Sequence, residues 1–358
     1  MKIAIIGTVG VPARYGGFET LVERLVRYAQ SRKQPIDQLT VYCSRQAYLE
    51  RPSHYCGARL RYSSYNANGI QSIIYDCVTA LDAIWRRHDR LLVLGVSGAI
   101  VFPLIRLISR ARIVTNVDGI EWRRPKWKGL SRCFLKWSEW LAVRFSHEIV
   151  ADNQGIADYL KETYKIQARV IAYGGDHAVR TIAEESIDAS QPRGPYALAL
   201  CRIEPENNVS MILEAFEDSS LPLVFVGNWN NSEFGRKLRS QYDRSPNIEM
   251  LDPIYEPAAL QRIRQKASAY IHGHSAGGTN PALVEMMHVG HPILAFDCNF
   301  NRYTTEDCAA YFTTARELTD LVGKVSQHEN GASMKEIANR RYRWDVIGAD
   351  YFSLLQEA

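Results

Sequence analysis

Short runs of apolar residues alternate along the chain with stretches in which apolar residues recur at helical spacing. The runs predict strands over Lys2–Gly7, Leu39–Ser44, Leu60–Tyr65, Leu91–Gly95, Ile113–Val117, Ile149–Ala151 and Val170–Tyr173. Between several of them lie helical stretches such as Ile70–Arg87 and Glu19–Arg32, the latter with Leu21, Leu25, Val26 and Ala29 on one face. Strands that are apolar throughout are buried on both faces, so the pattern implies parallel sheets covered by helices. Gly174-Gly175 and the turn-rich Gln191-Pro192-Arg193-Gly194-Pro195 interrupt the alternation. It restarts with Tyr196–Ile203, Leu223–Gly227, Ile248–Leu251, Ala269–His272 and Ile293–Asp297. A length of 358 residues exceeds what one core usually organises. Two α/β domains are therefore expected, over residues 1–178 and 190–342. A final helix, from about Asp345 to Leu355, is short of partners in the second.

Composition narrows the classes. With 46% hydrophobic and 23% charged residues and a net charge of +4, the chain reads as a globular protein. It carries no basic helix array or zinc spacing that would suit nucleic acid. Its seven scattered cysteines contain no C-x-x-C pair and read as reduced core residues of a cytosolic protein. The N-terminus meets its first glycine too early for a signal peptide, and no apolar run has the length of a membrane span.

Three segments carry candidate chemistry. Gly7 to Thr20 follows the first strand and opens a helix, with Gly7, Gly10, Gly16, Gly17 and Arg14 in one loop. Glycines admit a ligand close to backbone amides, and a helix N-terminus favours negative charge. The spacing fits G-x-G-x-x-G poorly, which speaks against a nicotinamide dehydrogenase. In His274 to Glu285, Asn280 fits an N-cap and Pro281 the first helical position. Gly277, Gly278 and Thr279 then present amides where a diphosphate would sit, and Glu285 can accept from the hydroxyls of a ribose. Arg202 ends the second domain's first strand, where its forked donors suit a phosphate; a surface pair with Glu204 or Glu206 is the plainer alternative. His272 and His274 are expected to point to opposite faces. With no third ligand near them and no D-x-D-like clamp, neither a metal nor another cofactor is expected.

Taken in order, "GTVGVPARYGGFET", "NVDGIEWRRPKW", "YGGD", "CRIEPENN", "VGNW", "HSAGGTNPALVE" and "DCNFNR" resemble bacterial glycosyltransferases of family 4. The match is nearest to the rhamnosyltransferases of capsule and O-antigen synthesis. The resemblance implies the GT-B architecture: two Rossmann-like, doubly wound domains with parallel sheets facing across a cleft, and a C-terminal helix, about 343–358, crossing back to the first domain. It implies a retaining hexosyltransferase that uses dTDP-rhamnose or another nucleotide sugar, with Asp118, Arg202 and Glu285 as catalytic candidates. The donor is assigned to Arg202, Asn207, Gly227, Asn228, Ile254, Tyr255, His274, Gly277, Gly278, Thr279, Asn280 and Glu285. The acceptor, a lipid-linked glycan, is assigned to Arg14, Tyr15, Gly16, Gly17, Phe18, Glu19, Asp118 and Glu121. Two places depart from the family: Gly277 stands where most members carry a Glu, and Asn207 where most carry a Lys. Thr279 and Asn280 are the expected substitutes for that Glu. The alternatives are a glucosyl- or mannosyltransferase with a UDP or GDP donor, a nucleotide-sugar epimerase, and a nucleotide-sugar-binding protein without transferase activity.

Residues 121–144 hold seven Lys or Arg against two Glu, interleaved with Trp122, Trp127, Trp137 and Trp140. Such a segment suits an anionic membrane surface, most of all in the loop 122–130. In the helix that follows, Phe134, Leu135 and Leu141 can equally face a core beneath a solvated basic face. The expectation is a cytoplasmic protein, peripheral at the inner membrane.

Overall fold

The computed structural model describes residues 1–13, 16–32, 38–69, 71–123, 128–179 and 194–357. It divides into two compact units, Met1–Tyr173 with Trp344–Ala358, and Gly174–Arg343. Arg14, Tyr15, Arg124–Trp127 and Gln191-Pro192-Arg193 lie outside the described residues.

Unit 1 runs β1 (Ile3–Ile6), α1 (Gly17–Ser31), β2 (Leu39–Ser44), β3 (His54–Tyr55), β4 (Ala58–Ser63), α2 (Gln71–Trp85), β5 (Arg90–Leu94), α3 (Phe102–Ile108), β6 (Arg112–Val117), α4 (Gly129–Phe145), β7 (Glu148–Ala151), α5 (Gln154–Tyr164) and β8 (Arg169–Val170). Its described strands form one sheet in the order β3-β4-β2-β1-β5-β6-β7-β8, parallel except for β3 against β4. β1 is buried at every position, as a central strand between two helical layers requires. α1 buries Leu21, Val22, Leu25, Val26 and Ala29. The turn Ala99–Val101 before α3 packs against both α2 and α4, and α3 packs against α4. The expected strand Val170–Tyr173 is shorter. The chain leaves the sheet after Ile171, whose amide still donates to Ala151, and passes into Gly174-Gly175.

Unit 2 continues with β9 (Ala197–Leu200), α6 (Val209–Phe216), β10 (Leu223–Val226), α7 (Glu233–Tyr242), β11 (Ile248–Leu251), α8 (Pro257–Lys266), β12 (Ala269–His272), α9 (Pro281–Val289), β13 (Ile293–Phe296), α10 (Asn299–Thr305), β14 (Ala310–Phe312), α11 (Ala315–Val322) and α12 (Asn330–Arg341). Its strands pair in parallel in the order β11-β10-β9-β12-β13-β14. Part of the core gathers Val209, Ile212, Phe216, Phe225, Trp229 and Phe312 between the sheet and its helices.

The last helix, α13 (Trp344–Glu357), belongs to unit 1. Gly348 lets it close on α1, since a Cβ there would stand 2.4 Å from the Tyr28 ring. Phe352 stacks on Tyr28 at 5.7 Å, and Asn116 Nδ2 donates to the Tyr351 hydroxyl at 2.7 Å.

The seven cysteines are free, but they are not uniformly core residues: Cys43 is buried, whereas Cys133 and Cys308 stand at the surface of helix or turn. Among the described residues no helix is long and apolar enough to cross a membrane.

Candidate active site

Parallel strands bring all their C-terminal ends to one edge, so sheet order decides which loops are neighbours. Along that edge of unit 2 the order β11-β10-β9-β12 sets Ile254–Tyr255, Gly227–Asn228, Arg202–Asn207 and His274–Asn280 side by side. Adjacent strands are about 4.8 Å apart, so these candidates fall within the span of one nucleotide. The chain winds from β9 through β10 to β11 one way, and from β12 outward the other. The reversal lies between β9 and β12, where open α/β sheets bind ligands.

Each loop is tied to its neighbour. Asn228 Oδ1 accepts from the Ile203 amide at 2.7 Å, and Gly227 leaves room for Ile203, whose Cδ1 would lie 2.4 Å from a Cβ there. Asn207 is buried, and its Nδ2 donates to the Arg202 carbonyl at 2.7 Å, so its amide shapes the loop that carries Arg202. Asn208 occupies the left-handed region, φ 51°, and donates to the Gly273 carbonyl at 2.9 Å. The Ser275 hydroxyl donates to the Glu206 carbonyl at 2.8 Å. Arg202 itself is 41% exposed and lies 3.6 Å from Glu204, the surface pair weighed from the sequence. Tyr255 is exposed and Ile254 half-buried.

Asn280 caps α9, its Oδ1 accepting from the Ala282 amide at 2.9 Å, with Pro281 at the first helical position. Gly277 has φ 117°, and no atom lies within 4 Å of where its Cβ would be. Thr279 is buried, Gly278 half-buried. Glu285 lies on the second turn and is buried rather than solvent-facing. One carboxylate oxygen pairs with the buried Arg264 of α8. The other lies 3.1 Å from His177 Nε2, in the turn Asp176–Val179. Gly175 allows this assembly, since a Cβ there would stand 2.6 Å from the Val284 carbonyl. Neither Arg264 nor His177 was singled out from the sequence; α8 reads as a polar helix, and nothing in its spacing marks one arginine as inward-facing.

The expectation for His272 and His274 is corrected. Their rings stack with centroids 4.5 Å apart and planes at 15°, because residues two apart on extended chain share a face. Burial lowers the pKa of His272, with His274 beside it adding to the effect. The His274 carbonyl accepts from Asn301 Nδ2 at 2.9 Å, which ties "DCNFNR" to "HSAGGTNP". Among the described residues no group of three His, Cys, Asp or Glu could hold a metal ion.

In unit 1 the order reverses beside β1. Gly16 caps α1 with φ 127°, and a Cβ there would meet the Glu19 carboxylate at 1.9 Å. Glu19 is buried and turned back on its own loop: Oε1 accepts from the Val9 amide at 2.8 Å and the Thr8 hydroxyl at 3.1 Å. Gly17 faces Tyr173, whose hydroxyl would lie 3.5 Å from a Cβ at that position. Phe18 approaches Gly95 at the end of β5. Burial raises the pKa of Tyr173, and the carboxylates of Asp118, Asp152 and Glu19 add to the rise. Tyr173 and Asp152 were not singled out as site residues: Tyr173 opens the "YGGD" turn but was given no role, and Asp152 belongs to no motif. Asp118 and Glu121 are half-buried.

Trp122 is engaged rather than free. Its indole donates to Glu139 at 3.3 Å, and Arg123, Arg132 and Lys136 approach its ring. Glu139 is buried and also accepts from the hydroxyls of Tyr159 at 2.6 Å and Tyr164 at 2.7 Å.

Residues 183–342 match the family of glycosyl transferases group 1, and residues 1–176 match a domain of unknown function, DUF1972. Residues 183–342, nearly the whole of unit 2, are thus a group 1 glycosyltransferase domain. Among solved structures the chain is similar to sucrose-phosphate synthase from Thermosynechococcus elongatus, at 12% identity over 99% of this chain and 98% of that one, with a TM-score of 0.83. It is similar to HepE of Anabaena in complex with UDP, at 14% identity over 100% of both chains, TM-score 0.75. The catalytic domain of starch synthase IV from Arabidopsis thaliana, bound to ADP and acarbose, aligns at 13% identity over 99% of both, TM-score 0.67. At these identities the likeness shows the fold, which is GT-B. No curated protein sequence matches the chain.

Proposed function

We propose that this glycosyltransferase takes rhamnose from a dTDP donor held by unit 2 and transfers it, with retention, to a lipid-linked oligosaccharide in cell-surface polysaccharide synthesis. The observation that carries the donor half is the row of loops along β11-β10-β9-β12, with Arg202 and the Asn280-capped helix on either side of the reversal. Ile254 and Tyr255 border the base. Gly227 and Asn228 shape the floor, and Asn207 holds the Arg202 loop. The Arg202 fork and the amides of Gly277, Gly278 and Thr279 meet the diphosphate, whose charge grows as the bond to the sugar breaks. Glu285 is held from both sides by Arg264 and His177, and a carboxylate so fixed suits a ribose. With no protein nucleophile among these residues, attack comes from the face the nucleotide leaves, and the departing phosphate takes the acceptor proton. Catalysis is then mainly positioning. Gly16, Gly17, Phe18, Asp118 and Glu121 are the acceptor candidates, with Glu19 setting their loop. The protein would work at the cytoplasmic face of the inner membrane.

A glucosyl- or mannosyltransferase with a UDP or GDP donor is the second reading, favoured by the UDP in the HepE structure. Thermal shift against dTDP-rhamnose, UDP-sugars and GDP-sugars separates the two. Arg202→Ala should weaken the nucleoside diphosphate roughly ten- to a hundredfold while sparing the nucleoside, as loss of a charged hydrogen bond does. Arg202→Lys should restore only part, because a fork becomes a point charge. Equal losses for both ligands would remove Arg202 from the diphosphate site.

A further inference from the structure

The helices α2, α3 and α4 of unit 1 each bury one face on their sheet and carry a second apolar stripe facing outward. On α2, Ile74, Val78 and Trp85 are 47%, 41% and 76% exposed, and with the half-buried Leu81 they recur at helical spacing. The opposite face of α2 buries Tyr75, Thr79, Ala80 and Ala83. On α3 and the turn before it, Ile100, Leu104, Leu107 and Ile108 are exposed, Leu107 to 83%. On α4, Leu130 is 90% exposed, and Trp137 and Trp140 about half. Since α3 lies against α4 and its leading turn against α2, these stripes adjoin. A helix apolar on both sides is buried on both sides, and adjoining apolar stripes of this kind on a surface mark a docking site.

The charges choose the occupant. α3 and α4 carry Arg106, Arg132, Lys136 and Arg144, and the acid of α4, Glu139, is buried. The acids of α2 are withdrawn too: Asp76 is buried and Asp82 is paired with Arg61 and Arg86. At the Trp85 end of α2 a cavity is lined by Lys2, Arg59, Arg61, Arg86 and Arg87 against one acid, Asp89. We infer that the outward face of α2, α3 and α4 lies on an anionic lipid bilayer, with Leu107, Trp137 and Trp85 entering the interface and the cations meeting headgroup phosphates. A symmetric contact with a second copy would set these cations against one another. The inference deepens the lipid-linked acceptor reading and rests on it for its purpose, while the surface supplies its evidence.

The test is cosedimentation of the full chain with vesicles of phosphatidylcholine alone and of phosphatidylcholine mixed with phosphatidylglycerol. Binding should require the anionic lipid, weaken with salt, and leave a salt-resistant part from the apolar stripes. Leu107→Ser and Trp137→Ser should each lower partitioning roughly tenfold, the scale of removing one large apolar side chain from the interface. Both sites are exposed, so nucleoside diphosphate binding, read by thermal shift, should stay at the parent value and report an intact fold. The inference is overturned if the parent protein ignores anionic vesicles at low salt, or if the variants bind them as the parent does. It is equally overturned if sedimentation velocity finds an oligomer that Leu107→Ser dissociates, for then a second copy covers the face. A parent protein that binds vesicles but no nucleotide would instead strike the transferase reading and leave this one standing.

Discussion

Arg264→Met tests whether the Glu285 carboxylate is held in place by the protein. Arg264 and Glu285 form a pair with only 8% and 11% of their side chains exposed. Removing one partner of such a pair usually costs about 3–5 kcal/mol, because a charge is left buried without compensation. Here His177, 3.1 Å from the other oxygen, supplies part of the compensation, which places the loss at the lower end. A loss of about 3 kcal/mol in a body of this size lowers its melting temperature by roughly 6–12 °C. The only tryptophan between positions 174 and 343 is Trp229, fully buried in the core of unit 2. Fluorotryptophan labelling therefore gives one fluorine resonance that follows this unit alone through a melt. Arg264→Met combined with Glu285→Gln should recover most of the loss, since both charges are then gone. A single variant melting within about 1 kcal/mol of the parent, or a double variant no better than the single, would refute the argument. The carboxylate would then owe its place to solvent, and its fixed aim toward a ribose would fall with it.

Two further outcomes follow from buried contacts. Burial pushes the Asp76 carboxyl up to about 7, against a Ser97 hydroxyl that donates to it and lowers it. Above the pKa of the unfolded chain the folded state holds a proton the unfolded state has lost, so unit 1 loses stability as pH rises toward 7. Asp76→Asn, which keeps an acceptor for Ser97, should remove that slope: urea midpoints should agree near about pH 4 and favour the variant by a few kcal/mol near about pH 8, and parallel profiles would exclude the effect. Gly175→Ala would place a Cβ 2.6 Å from the Val284 carbonyl on α9. It should destabilise unit 2 by roughly 1–3 kcal/mol and weaken nucleoside diphosphate binding, whereas an unchanged Trp229 melt would mean that the turn yields without disturbing α9.

The architecture was legible because the signals were local and agreed with one another. Ile3–Ile6 and Ala269–His272 could only be strands buried on both faces, and Asn280-Pro281 announced the start of α9 before any packing was known. Family resemblance then named the fold. The settings of the charged groups were not legible, because they depend on contacts distant in sequence. Glu285 is held by Arg264 and His177, from a polar helix and a short turn, and neither carries a motif. Glu139 is held by Trp122, Tyr159 and Tyr164, so a segment that read as an alternation of cations and tryptophans has its first tryptophan turned inward. The outward stripes of α2 and α3 escaped notice for the opposite reason. Ile74, Leu104 and Leu107 look like core residues until the sheet is seen to need only the other side of each helix.

Tyr351 and Phe352 are made after unit 2, yet they complete unit 1, most of which is made before it. At about 5–20 residues per second, translation of Gly174–Arg343 keeps the Tyr28 ring and the Asn116 amide waiting for roughly ten to thirty seconds. During that interval the nascent chain presents an open groove along α1, and unit 2 can finish folding before unit 1. Loss of the last turns of α13 would thus fall hardest on residues made long before it.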